Sequence, residues 1–182
     1  LYFRIDTFIL ASFYPQSTVG VYNMAYQFFQ AVLVVPTFIM NSFYPMMLET
    51  LRFNIDRFKY QTKMVAVGLI VASVILSLAM FIISPLIIKL ITGSGFGGSI
   101  ASLQILSFGF PAYFLSALLM WIMVAKKMYK QMLFAYGLGL IFNIVANFYF
   151  IPPYSYIASA WITGISEYLI LFLQAVILLR NR

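Results

Sequence analysis

Along the chain, long apolar runs alternate with short polar interruptions, at a spacing that fits a bilayer rather than a globular core. Apolar stretches cover residues 19–47, 64–91, 100–125, 131–151 and 157–179. Each is as long as the roughly 20 residues a membrane-crossing helix needs, or longer. Residues 1–13 read as the end of a further span, too short to cross alone. The pattern therefore predicts an all-α integral membrane protein: a single bundle of six transmembrane helices over residues 1–182, the first of them truncated. Because the chain opens inside a helix and without Met, it is expected to be a piece of a longer protein. Pro85 punctuates the third run, and Gly109 with Pro111 sit mid-way along the fourth, where a helix should kink or open.

The polar positions inside these runs carry the chemistry. With Asn23 set at zero and 100° per residue, Gln27, Gln30, Thr37 and Asn41 fall within about 40° of one line, which only Val34 interrupts. Such a row predicts either a wetted groove or hydrogen bonding between helices. Arg4, Asp6 and Glu167 lie well inside predicted spans, where a charge costs about 2.5 to 3.5 kcal/mol on insertion scales. At 1.5 Å per residue, Arg4 is about 13 Å and Glu167 about 16 Å from the outer ends of their helices. Arg4 and Asp6 are about 200° apart around the helix, so both cannot face one cavity. One reading gives Arg4 an anionic group at the midplane; the other pairs Arg4 with Glu167, or Asp6 with some donor. The last helix has a second row, Ser159, Thr163, Ser166 and Gln174, and a small-residue pair in Ala160 and Gly164. Asn143 and Asn147, one turn apart, are expected to bond between helices.

Composition changes the picture by exclusion. A chain that is 64% hydrophobic and 8% charged is polytopic, and with no Cys and no His it offers no thiol nucleophile, imidazole base or disulfide. No catalytic residue, metal site or cofactor is expected. The glycines of TGSGFGG lack the Lys and Ser or Thr of a phosphate loop and make a flexible turn. The net charge of +7 is spread over connectors rather than gathered on one nucleic-acid-binding face. Of eleven Lys and Arg, four lie in the long connector 49–63, three in residues 126–130 and two at Arg180 and Arg182, all on one side of the predicted topology. The opposite connectors, 14–18, 92–98 and 152–156, carry none. By the positive-inside rule the basic side, with the C-terminus, is cytoplasmic. Tyr14, Tyr22, Tyr154 and Tyr156 are expected as an outer interfacial belt, and Tyr44, Tyr60 and Tyr129 as an inner one.

The pattern R-I-D, then a short loop ending V-G, then V-Y-x-x-A-Y and a helix closing in F-Y-P, resembles the seventh and eighth helices of polysaccharide (lipid-linked oligosaccharide) flippases. These share a superfamily with lipid II flippases and multidrug and toxic compound extrusion transporters. IPPYSYIASAWITGISE resembles the start of that family's twelfth helix, with Ala158 and Ser159 where glycine and alanine are usual.

The resemblance implies the C-terminal lobe of a two-lobe transporter, its partner the missing N-terminal lobe of the same protein. It implies translocation of a lipid-linked oligosaccharide across a prokaryotic plasma membrane by alternating access, in contact with membrane lipid and no nucleic acid. The cavity would be lined by Arg4, Asp6, Asn23, Gln27, Gln30, Thr37, Asn41 and Glu167. The alternative within the superfamily is a cation antiporter using Asp6 and Glu167 as coupling or cargo carboxylates. An embedded transferase would need His, Cys or a carboxylate pair at a membrane face.

Overall fold

In the computed structural model, which describes residues 4–93 and 95–180, six helices account for almost all of the chain: α1 (Ile5–Phe13), α2 (Gln16–Phe53), α3 (Ile55–Thr92), α4 (Gly97–Ser107), α5 (Phe110–Ala125) and α6 (Tyr129–Arg180). Residues 1–3 of the predicted opening span, and Arg182 of the basic terminus, lie outside the described residues. Three helices, α2, α3 and α6, are long and apolar enough to cross a membrane, and a fourth crossing arises if α4 and α5 count as one bent span.

The long charged connector expected at 49–63 is not a loop. Both α2 and α3 are 38 residues long and run through it, broken only at Asn54. That residue closes one helix and opens the next. Its N–H donates to Thr50 O at 2.9 Å, while its side chain accepts from Arg57 N at 2.9 Å. Glu, Lys, Arg and Gln are good helix formers, so a polar segment leaving an apolar run has no reason to unwind until a capping residue intervenes.

The run 100–125 is broken where Gly109 and Pro111 predicted, and the two pieces meet at 47°. Pro111 has no N–H, so the carbonyl of Ser107 loses its helical donor. Ser77 Oγ on α3 donates to that carbonyl at 2.8 Å, and Tyr168 Oη on α6 donates to the adjacent Phe108 carbonyl at 3.0 Å. Across the break Gly109 lies against Gly164, whose Cα is 3.6 Å from where a Gly109 β-carbon would stand. The small pair expected at Ala160 and Gly164 thus includes a true close approach.

The PPYSY turn is likewise shorter than expected. The helical path continues through Pro152 and Pro153 and departs only at Ser155, with φ 54° and ψ −143°. Asn143 bonds Ser166 at 2.9 Å and Gly139 faces Ile170. Both pairs centre on the Tyr154–Ser155 step, so α6 is a hairpin of two antiparallel arms. Each arm is about 38 Å long.

Around these elements α2 and α3 pack against α4 and α5, α5 packs against α6, and the short α1 lies on α6 and α2. The centre is aromatic. Tyr22, Tyr26 and Phe29 run down α2 to meet Phe110 and Tyr113 of α5, each with its ring centroid 5.2 Å from that of Phe29. Outside, large apolar side chains such as Phe38, Ile82, Leu90 and Phe172 are exposed.

Candidate functional site

The charges predicted inside the first span separate, with Arg4 outside the helix proper at its N-cap. Asp6 turns inward and is 2% exposed; Arg4, at the N-cap of α1, stays exposed. Arg4 Nη2 donates to Gln30 Oε1 at 3.3 Å, and its Cζ lies 5.8 Å from the centre of the Tyr26 ring. Because Tyr26 and Gln30 are one turn apart on α2, a single guanidinium spans both. It covers the ring from outside while the phenol stays buried.

Asp6 is enclosed by donors from three elements. The hydroxyl of Tyr22 on α2 donates to Oδ2, Thr163 Oγ1 on the second arm of α6 donates to the same oxygen at 3.0 Å, and Thr7 N donates to Oδ1 at 2.7 Å. Tyr22 and Thr163 also touch each other at 3.2 Å. Tyr22 is therefore not part of an interfacial belt: it is fully buried and belongs to this carboxylate. The phenol was placed at the interface because residue type and nearness to a helix end are all that a sequence displays.

Glu167, one turn along from Thr163, is 3% exposed and accepts from the hydroxyl of Ser116 on α5. Tyr136 of the first arm stands close to Ser116, Glu167 and Gln174. The alternative pairing of Arg4 with Glu167 is not the arrangement found. Arg4 reaches Gln30 on the surface, and Glu167 reaches Ser116 inside.

The row on α2 divides by depth. Asn23 is half-buried and accepts from Thr7 Oγ1 at 3.5 Å. Gln27, Thr37 and Asn41 are exposed, with the Thr37 hydroxyl turned back onto Leu33 O at 3.3 Å. The eight residues expected to share one cavity thus form two groups: an exposed strip of Arg4, Gln27, Thr37 and Asn41, and an interior pair of Asp6 and Glu167, with the half-buried Asn23 and Gln30 at the boundary. Tyr22, Tyr26, Ser116 and Thr163 complete the interior; of these the sequence marked only Thr163, in the second polar row. On α2, Tyr26 stands about 60° and Tyr22 about 100° around from Asn23, outside the row.

Asn143 joins the arms of α6 as expected, whereas the amide of Asn147 bonds within the first arm. Asn143 donates to Ser166, and Asn147 donates to the Asn143 side chain at 2.9 Å. Among the described residues no three His, Cys, Asp or Glu side chains gather as metal ligands. Comparison with protein families, characterised proteins and solved structures finds no match to this chain.

Proposed function

We propose that the chain is one lobe of a transporter that flips a lipid-linked oligosaccharide across a prokaryotic plasma membrane, with Arg4 as the group that meets the anionic head. In this reading the lobe crosses the bilayer six times: α1 with the residues before it, α2, α3, the bent pair α4–α5, and the two arms of α6. Its basic ends are cytoplasmic, and a second lobe faces the exposed strip. The observation that carries the proposal is the strip itself. Arg4, Gln27 and Asn41 are exposed, with Gln30 half-buried beside Arg4, on helices that also expose Phe8, Val34, Val35, Phe38 and Ile39.

Hydrocarbon does not solvate such groups, so this face calls for water or a polar partner. A diphosphate suits a planar, permanently charged fork, and sugars suit amides that both donate and accept. The cation-antiporter reading asks for carboxylates at the cargo. Here Asp6 and Glu167 are enclosed by hydroxyls inside the lobe, which speaks for Arg4 as the cargo group.

The test is surface-glycan display in cells carrying Arg4 variants, with membrane protein level measured alongside. Arg4→Ala should abolish display, leave the protein in the membrane and accumulate lipid-linked precursor. Arg4→Lys should recover only part, since an ammonium keeps the charge but loses the bidentate fork. Normal export by a well-expressed Arg4→Ala protein would sink the proposal.

A further inference from the structure

The hairpin of α6 carries a groove of about 700 Å³ along its flank, away from the exposed polar strip of α1 and α2. The first arm forms its length, through Leu138, Phe142, Val145 and Tyr149 to Tyr154 at the apex. Leu169 and Leu173 of the second arm close its deep end. Every residue lining it belongs to α6, and none is charged.

Length is the first clue to what fits there. Counted from Ser155 at 1.5 Å per residue, the groove reaches about 26 Å to Leu138 and about 27 Å to Leu173, past the middle of arms about 38 Å long. An acyl chain of one leaflet ends near the midplane, about 15 Å into a hydrocarbon core of about 30 Å. A groove continuous across the middle of the hairpin matches a chain longer than a leaflet.

Charge is the second. Between Lys130 and Arg180 the sequence holds one charged residue, Glu167, and it is buried. The mouth of the groove instead presents Tyr149, 76% exposed, and Tyr154, 62% exposed. An anionic head at this end meets water and phenols rather than a cation, so recognition falls to the chain.

We propose that the groove seats the lipid chain of the translocated cargo, a single chain longer than one leaflet, once its head has reached the outer side. This rests on the reading of the cargo as lipid-linked. In a bilayer the exchange of one hydrocarbon contact for another brings no hydrophobic gain, so packing and chain entropy decide. One long chain covers the groove alone, where two leaflet-length chains would have to be ordered end to end. The uncharged mouth suits a head that must leave, as the exposed Arg4 suits one that must be caught.

The experiment places the chain in nanodiscs of zwitterionic phospholipid with a long-chain polyprenyl phosphate that carries a photoreactive benzophenone at the end remote from the phosphate. Adducts mapped by mass spectrometry should fall at the deep end, on or beside Leu138, Leu169 and Leu173. Unlabelled long-chain polyprenyl phosphate should displace them, and an equal excess of phospholipid or of a short-chain prenyl phosphate should not. Val145→Trp with Leu173→Trp, which puts two indoles into the groove, should cut deep-end labelling roughly tenfold. Phe172→Trp, exposed on the same arm outside the groove, should leave it unchanged.

Displacement by phospholipid as effective as by the long chain makes the groove an ordinary lipid seat and overturns the proposal. Labelling spread evenly over the exposed apolar faces, or absent from the deep end, does the same. Loss of labelling in Arg4→Ala would show the head rather than the chain being held, and overturns it too. Thermal unfolding in the same discs identifies a double variant that has lost its fold, and the competition by chain length then decides alone. A groove that fails leaves the glycan-display test of Arg4 standing, and a failed display test beside a groove that passes leaves a long-chain lipid site on a protein with other cargo.

Discussion

A β-carbon placed on Gly139 would stand 2.4 Å from Ile170 Cγ1 and 2.6 Å from its Cδ1, a separation that only a hydrogen on Gly139 allows. The two arms of α6 are therefore set at the distance of a glycine contact, and the Asn143 to Ser166 bond one turn away depends on it. Gly139→Ala should destabilise the protein by about 1–3 kcal/mol, the usual range for a methyl forced into a packed site. Ile170→Ala removes both clashing atoms, so the double variant should lose clearly less than the two single losses added together. Thermal unfolding of the four proteins in one detergent measures this, and strict additivity would mean that the arms part freely. Nothing in the sequence marked Gly139 from Gly137, beside which no atom lies within 4 Å of an added carbon. Periodicity locates a face, but the neighbour on that face is set by a hairpin whose turn has to be known first. The same limit hid Tyr22 and Thr163 from Asp6: three helices converge there, and their separation along the chain carries no repeat.

Two prolines open two helices, and each gap draws a donor from the other helix. Pro85 frees the carbonyl of Phe81 on α3, which accepts from Gln104 Nε2 of α4 at 3.2 Å as well as from Ser84 Oγ of its own helix at 3.1 Å. Pro111 frees the carbonyl of Ser107, which accepts from Ser77 Oγ of α3 at 2.8 Å. The bend is thus a matched pair of lesions rather than a weak point. Ser77→Ala should cost about 1 kcal/mol by leaving a buried carbonyl unpaired. Pro111→Ala restores the N–H that Ser107 lost, so it should offset the Ser77 change more than it affects the unaltered protein. A double-mutant cycle by thermal unfolding reads the coupling, and a value near zero would deny the exchange. The kink was legible, because a Gly and a Pro two residues apart inside an apolar run leave the backbone few options. The connectors were not. Polar composition was equated with loop at residues 49–63, yet there it marks only where a helix leaves the apolar phase, and the helix itself ends where Asn54 can cap it.

Within the bundle as a whole, α2 exposes both polar and apolar residues. Gln27, Thr37 and Asn41 share one line along it, while Val35 lies about 120° and Phe38 about 60° around from that line, and both are also exposed. If, as proposed, a second lobe and a water-filled cleft face the polar line, exposure in this chain means two different things on the two sides. The chain has no native cysteine, so single cysteines report cleanly. Cysteines at Ser17 and Tyr154 should react with a membrane-impermeant thiol reagent in intact cells, and cysteines at Thr62 and Lys130 only after permeabilisation. A reversed result would invert the orientation drawn from the basic connectors, and with it the proposed direction of transport. Within α2, cysteines at Gln27, Thr37 and Asn41 should react with a small hydrophilic reagent, while those at Val35 and Phe38, against hydrocarbon that holds no thiolate, should not. Equal protection at all five would place the amides against another helix, and Arg4 with them, turning the strip from the wall of a cavity into a packing seam.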